Sequence, residues 1–269
     1  MMEIWREKVP IRFGSIDRSD RLTLWSIFNF FQEAAISHAT ELGVGRDAMA
    51  STGQAWILSR LSILVERRPR YGEIVQVSTW PRRWEKLFAM RDYEIRDAED
   101  RAVVRGRGAW LVLDVEKRRP LRAQNIMEKL PHNDGIDALA PNEPGSSSAA
   151  LNSRENLLKC GSRTALYSDI DNFGHVNNAR YIQWIQDITA MDVLTNAEQI
   201  RFSINYLSEV LPGETVEFWM GPLEDANDEN TGKSDYPKQA GPGFAYEGRR
   251  PDSNIAVFRA ELRTRVGNL

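Results

Sequence analysis

The chain has 269 residues, 42% apolar and 27% charged, the make-up of a soluble globular protein with length for one large or two ordinary domains. Its formal net charge of −3 is too near neutral for nucleic acid or an anionic membrane to be the main partner. A single cysteine, Cys160, excludes an intrachain disulfide and argues against a structural cysteine–zinc site. Residues 1–8 lack the apolar core of a signal peptide, and no apolar run reaches ~18 residues. The expected setting is the cytoplasm, without membrane insertion.

In chain order, residues 8–18 read as a short strand and turn ending at Asp17. A helix is expected over 24–42, with Trp25, Phe28, Phe31, Ala35 and Leu42 near one face and Ile27, Ala34 and Ile36 widening it. A helix this apolar all round is normally buried. Gly43 and Gly45 stop it, and 46–55 reads as a loop. Strands are expected over 56–66, 74–80, 88–96 and 103–115, with clear alternation in Leu61/Ile63/Val65 and Val75/Val77/Thr79. The pattern dissolves over 123–159, where 141–148 has the Pro/Gly/Ser composition of a flexible linker.

Beyond the linker the first half recurs. Ile16-Asp17 lines up with Ile170-Asp171 at an offset of 154, where Phe31 to Glu33 also falls on Ile185 to Asp187. The stretch 70–75 matches 211–216 at an offset of 141, so the second copy lacks most of the loop at 46–55. Its helix is expected over 177–194, with Tyr181, Ile182, Ile185, Ile188 and Thr189 on the apolar face. Strands follow over 199–210, 215–220, 244–249 and 255–265, with a polar hairpin extension over 223–243. The boundaries are therefore 1–122 for the first repeat, 123–159 for the linker and 160–269 for the second repeat.

The densest chemistry lies over 167–184. Two carboxylates (Asp169, Asp171), His175 and the pair Asn177 and Asn178 fall within ten residues, at the entry to a buried helix. Backbone N–H groups at such an entry lack intrahelical partners and carry the positive end of the helix dipole, which suits them to polarise a carbonyl. At the positions of His175 and Glu209 the first repeat has Arg21 and Arg68. It lacks both polar types, so one working site per chain is expected, in the second repeat, with the first supplying a pocket.

The run Asp169-Ile-Asp171, His175-Val-Asn-Asn178, Tyr181 and Trp184 resembles the signature of fatty acyl–acyl-carrier-protein (ACP) thioesterases. Phe31 to Ala35, His38, Trp56, Arg60, Arg68-Pro69 and Thr79-Trp80 of the first repeat agree with it. The resemblance implies an α+β tandem hotdog fold, each unit a long central helix wrapped by an antiparallel sheet. It implies hydrolysis of acyl-ACP to free fatty acid, with no cofactor and no metal. The family's aspartate, histidine and glutamate fall on Asp171, His175 and Glu209. Its asparagine falls on Phe173 and its cysteine on Val210, so a cysteine nucleophile is not expected and Cys160 is a spectator. What remains is a carboxylate–histidine scheme that activates water, with Glu209 or Asp171 as base or orienter, His175 as polariser or proton relay, and Asn177 and Asn178 positioning the substrate.

The bland alternatives are a helix cap for Asp171, an exposed strand residue for Glu209, and packing for Asp17 and His38. A basic cluster including Arg82, Arg83 and Lys86 is the expected docking face for the acidic carrier protein. Competing functions are an acyl-CoA thioesterase, which Phe173 favours, a hotdog dehydratase, and a non-catalytic acyl- or carrier-binding module. A monomer and a homodimer are both compatible with a tandem hotdog.

Overall fold

The computed structural model describes residues 4–140, 143, 150–223 and 243–266. It divides into two compact units, Met1–Ala150 and Leu151–Leu269. Unit 1 contains β1 (Trp5–Pro10), α1 (Leu24–Glu41), α2 (Arg46–Ala50), β2 (Gln54–Val65), β3 (Ile74–Glu85), β4 (Phe88–Arg96), β5 (Ala102–Asp114), β6 (Arg119–Leu121) and α3 (Gln124–Met127). Unit 2 contains β7 (Leu158–Thr164), α4 (Asn178–Ile188), α5 (Met191–Thr195), β8 (Ala197–Tyr206), β9 (Thr215–Pro222), β10 (Gly243–Arg249) and β11 (Ala256–Val266).

The strands of unit 1 run in the order β1-β3-β4-β5-β2, with β6 paired to β5; those of unit 2 run β7-β9-β10-β11-β8. All these pairings are antiparallel. Strand for strand the two orders are the same, so the repeat seen in the sequence is a repeat of topology.

Helix α1 starts where Thr23 stays extended and its hydroxyl oxygen accepts the Ser26 N–H at 3.2 Å, an N-cap that satisfies one of the helix's orphan donors. It ends at Gly43, whose φ of 67° is open to glycine at no steric cost. Ile27, Phe28, Phe31, Ala34, Ala35 and His38 are buried, whereas Ile36, expected to widen the apolar face, is exposed. The Phe31 ring stacks on Tyr93 of β4 at 4.7 Å. A β-carbon on Gly106 would lie 2.8 Å from that ring, so glycine is what lets β5 pass so close to the helix. His38 is a packing residue. It is fully buried, stacks on Trp5, and its Nδ1 lies 3.2 Å from Arg91.

Several boundaries differ from the sequence reading. The expected loop over 46–55 holds the helix α2. Strand β3 continues past Trp80 to Glu85, because Pro81 sits beyond the last β1 partner, Trp5 opposite Thr79, at a register shift against β4. The expected helix over 177–194 breaks at Thr189, whose hydroxyl is shared between the Ile185 carbonyl (2.6 Å) and the Tyr246 hydroxyl (2.8 Å). Residues 158–164, placed partly in the linker, form β7. The linker stretch 141–148 and the loop over 223–243 lie almost entirely outside the described residues.

The first part of that linker is also not loose chain. Successive strand residues point to opposite faces of a sheet: Tyr93 faces α1, so Asp92 faces away. Ala123, Ile126 and Leu130 pack with Leu42, Val44, Met49, Ala89 and Val112 on the α1 side, and residues 133–140 lie on the second face, with Ala138 and Leu139 buried. Polar side chains hold them there. Trp80 Nε1 donates to the Ile136 carbonyl at 2.9 Å, and Asn133 Nδ2 to the Pro81 carbonyl at 2.8 Å. Asp92, fully buried, receives Arg107 bidentately at 2.6 and 2.7 Å and the Ala138 N–H at 2.7 Å. Arg82 pairs with both Asp92 and Asp137. Periodicity could not reveal this attachment, because it runs through charged residues and backbone groups.

Two predictions follow from these pairings. Removing one partner of a buried ion pair leaves the other uncompensated and costs roughly 3–5 kcal/mol. Asp92→Ala should therefore lower unfolding stability by that order in urea titration and expose 133–140 to protease; an unchanged urea midpoint would count against it. The second concerns Asp97, which pairs with Arg67 and Arg101. Burial alone would raise its pKa, but the hydrogen bonds from Arg101 and Arg67 prevail and hold it at about 2. Its unfolded value is about 3.9, so the unfolded chain binds the proton first and this stability is lost as pH falls from ~4 to ~2. The stability gap between wild type and Asp97→Asn should narrow over that window in chemical denaturation; a gap independent of pH would contradict it.

Candidate active site

The entry to α4 is built by a tight turn. The Gly174 N–H donates to the Asp171 carbonyl at 3.1 Å and the Asp171 N–H to the His175 carbonyl at 3.0 Å. Asp171 Oδ1 accepts the Phe173 N–H at 2.9 Å, a local bond that aspartate offers readily in turns. Gly174 has φ of 85°, a conformation that glycine takes freely. The turn brings the ends of Asp171 and His175 to the same side, with His175 Nδ1 3.7 Å from Asp171 Oδ1. That is too long for a direct hydrogen bond and within the range a bridging water spans. Both side chains are partly exposed, 18% for Asp171 and 26% for His175. Phe173 is exposed and stacks on the His175 ring at 6.0 Å and 12°.

Asn177 is the N-cap of α4, its Oδ1 accepting the Ala179 N–H at 2.9 Å. Its expected substrate-positioning oxygen is therefore committed to the helix. Asn178 occupies the first helical position, half-buried, and its carbonyl accepts from the Tyr206 hydroxyl at 3.0 Å.

Glu209 is not in a strand. Strand β8 ends at Tyr206, and Glu209 is exposed in the turn leading to β9. The Val176 N–H donates to the Val210 carbonyl at 2.9 Å, which sets this turn beside His175. Two further residues hold it. Tyr181, on α4, has its hydroxyl pushed well above the ordinary tyrosine range by burial, against a backbone hydrogen bond at Val210 and the charge of Arg250. Arg250 donates to the Glu209 carbonyl at 2.7 Å, to Ser208 Oγ at 3.0 Å and to Glu214 Oε2 at 3.2 Å. In the sequence Tyr181 stands out only in the signature run and on the apolar helix face, and Arg250 not at all. The available signal was the repeat: Tyr181 stands where α1 has the buried Ile27.

The first repeat shows where these positions point. Its turn has the same hydrogen bonds: Asp20 N–H to Asp17 carbonyl (3.0 Å), Asp17 N–H to Arg21 carbonyl (2.9 Å), and Leu22 N–H to Pro69 carbonyl (2.8 Å). Asp17 Oδ1 accepts the Ser19 N–H at 2.8 Å as Asp171 accepts that of Phe173. Arg68, the counterpart of Glu209, reaches across to Asp17, with Nη1 2.5 Å from Oδ2. Burial would raise the Asp17 pKa, but the Ser19 and Arg68 contacts outweigh it and hold the carboxyl below its usual range. The side chain at position 68 thus faces the aspartate of the turn, and Glu209 occupies the equivalent backbone position in the second repeat. In the first repeat a partly buried ion pair fills the place; in the second, the turn carries a histidine beside its aspartate.

The expected carrier-docking trio separates. Arg82 is buried and paired with Asp92 and Asp137, so it is a core residue and that expectation is corrected. Arg83 and Lys86 are exposed near the β3–β4 hairpin, Arg83 lying 3.6 Å from Glu85. Cys160 lies on β7 with its thiol pKa raised by partial burial, away from thiolate character.

The acyl-ACP thioesterase N-terminal domain model matches residues 2–130, and the acyl-ACP thioesterase C-terminal domain model matches residues 160–246. The chain is 24% identical over 222 residues to the chloroplastic palmitoyl-acyl carrier protein thioesterase of Arabidopsis thaliana, covering 77% of this chain and 52% of that protein. It is 25% identical over 239 residues to the chloroplastic oleoyl-acyl carrier protein thioesterase of Coriandrum sativum, covering 82% and 63%. The chain spans about half the length of the first of these relatives. In fold it is similar to an acyl-ACP thioesterase of Bacteroides thetaiotaomicron (TM-score 0.76, 23% identity, 97% of each chain). It is likewise similar to the 12:0-ACP thioesterase of Umbellularia californica (TM-score 0.81, 19% identity, 99% of each chain). These likenesses establish the α+β tandem hotdog architecture. With both domain models matched in order along the two repeats, the chain belongs to the acyl-ACP thioesterase family.

Proposed function

We propose that this chain hydrolyses the thioester of an acyl chain carried on acyl carrier protein and releases the free fatty acid, at a single site in the second repeat. The observation that carries the reading is the contrast between two turns of one geometry. Asp17 is sealed by Arg68, whereas Asp171 keeps a partly exposed His175 3.7 Å away and an exposed glutamate at the position of Arg68.

In the proposed reaction a water loses a proton to the Glu209 carboxylate as its oxygen bonds to the thioester carbon. His175, oriented by Asp171, donates to the carbonyl oxygen as it gains charge. The tetrahedral intermediate then collapses, the carbon–sulfur bond breaks, and the proton passes to the departing thiolate. General acid–base assistance of this kind contributes ~10²–10⁴ in rate. With Arg82 withdrawn into the core, carrier docking falls to the exposed Arg83 and Lys86.

A second reading, an acyl-CoA substrate, has one specific support. Phe173 stands where the ACP-thioesterase pattern has asparagine, giving the Asp-x-x-Gly-His-Val-Asn-Asn form that resembles acyl-CoA hydrolases. The two separate in one assay, release of free thiol from acyl-ACP and acyl-CoA across several chain lengths. Faster turnover of acyl-ACP is expected, and no turnover of any thioester would sink the hydrolase reading. His175→Ala and Glu209→Ala should each lose at least ~10²-fold in kcat while staying folded; a variant within a few-fold of wild type removes that residue from the mechanism.

A further inference from the structure

Both repeats close the turn after the second strand of their sheet with the same glutamate. Glu73 Oε1 accepts the Arg70 N–H at 2.8 Å, and Glu214 Oε2 accepts the Leu211 N–H at 2.9 Å. In each repeat an arginine binds this glutamate, but it comes from a different place. In unit 1 it is Arg67, on the turn itself, held at 2.9 Å to Glu73 and at 3.1 Å to Asp97 of the β4–β5 hairpin. In unit 2 the turn has Ser208 at the corresponding position, and the arginine is Arg250, in the β10–β11 hairpin where unit 1 has Asp97. The backbones confirm the match. Asp97 N–H bonds to the Arg101 carbonyl at 3.1 Å and Arg250 N–H to the Ile255 carbonyl at 3.0 Å, each closing its hairpin.

Moving the cation changes what it touches. The Arg250 guanidinium spans the turn from outside and donates to the carbonyl of Glu209 itself at 2.7 Å, as well as to Ser208 and Glu214. A planar guanidinium with donors in a fixed fork sets the orientation of several acceptors at once. On the inner side, the Tyr181 hydroxyl meets the backbone of Val210, the next residue. Glu209 is thus gripped on its own carbonyl and on the following residue. A misplacement of ~1 Å at a reacting group can cost ~10² in rate, so this grip bears directly on turnover.

We propose that Arg250 is a positioning residue of the second repeat: it fixes the turn from Ser208 to Glu214 so that Glu209 stays beside the turn that carries His175. The inference rests on the reading of Glu209 as the base, and its test separates the two. Three proteins are compared, wild type, Arg250→Ala, and the double variant Ser208→Arg with Arg250→Asp, which rebuilds the unit 1 arrangement in unit 2. Steady-state thioester hydrolysis and amide hydrogen exchange at Leu211 and Gly213 are measured on the full chain.

Arg250→Ala should lose about 10–100-fold in kcat with KM within about three-fold, the signature of an interaction used in the transition state. Its Leu211 amide should exchange at least about ten-fold faster. The double variant should slow that exchange again and recover most of kcat. An active wild type with kcat unchanged in Arg250→Ala overturns the inference and leaves the hydrolase reading intact. A kcat loss that the double variant fails to recover, although its turn amides are protected again, also overturns it. Wild type inert toward all thioesters, with the exchange difference present, sinks the hydrolase reading instead.

Discussion

One backbone hydrogen bond organises the site, from the Val176 N–H to the Val210 carbonyl at 2.9 Å. It joins the helix-entry turn, which carries Asp171 and His175, to a turn more than thirty residues later, which carries Glu209. Without it the three residues belong to unrelated loops. Such a bond is demanded by simple accounting, because a backbone donor beside a buried residue such as Val176 must find an acceptor. The first repeat makes the same bond between Leu22 and Pro69 at 2.8 Å. Site geometry is therefore a property of the fold unit, inherited by both copies, and what each copy does with it is decided by side chains alone.

The two copies spend that geometry differently. In unit 1 Asp17 and Arg68 form a hydrogen-bonded ion pair, the arginine almost wholly buried. In unit 2 the same positions hold ionisable groups in contact with solvent and an exposed aromatic, Phe173, against the imidazole. Unit 1 also carries a second layer, residues 133–140, held by Asp92, Arg107, Arg82 and Asp137 on the sheet face opposite α1. At the equivalent turn positions, unit 1 closes its polar groups into an ion pair and unit 2 keeps Asp171 and His175 accessible.

Much of this was legible in the chain. Helix α1 and most of the strands show in their apolar periods, and the offsets of 154 and 141 place the equivalences of the two turns that the hydrogen bonds later display. The pairing of Asp171 with His175 could be read from local spacing. What could not be read depends on contacts between distant polar groups. Arg82 looks like a surface cation in sequence, and its burial follows from Asp92 and Asp137, which no spacing links to it. Thr189 looks like one more residue of a helix, until its hydroxyl meets Tyr246. Arg250 carries no signal by itself; its role shows only when Asp97 is found at the matching place in the other repeat with the opposite charge.

The most direct measurement gives the second repeat the first repeat's residues. A chain with His175→Arg and Glu209→Arg keeps the backbone turn that unit 1 already supports with arginines at both positions. If one site per chain does the chemistry, this variant melts within a few degrees of wild type and loses thioester hydrolysis by at least ~10²-fold. A folded double variant that still hydrolyses acyl-ACP within a few-fold of wild type would contradict a working site in the second repeat.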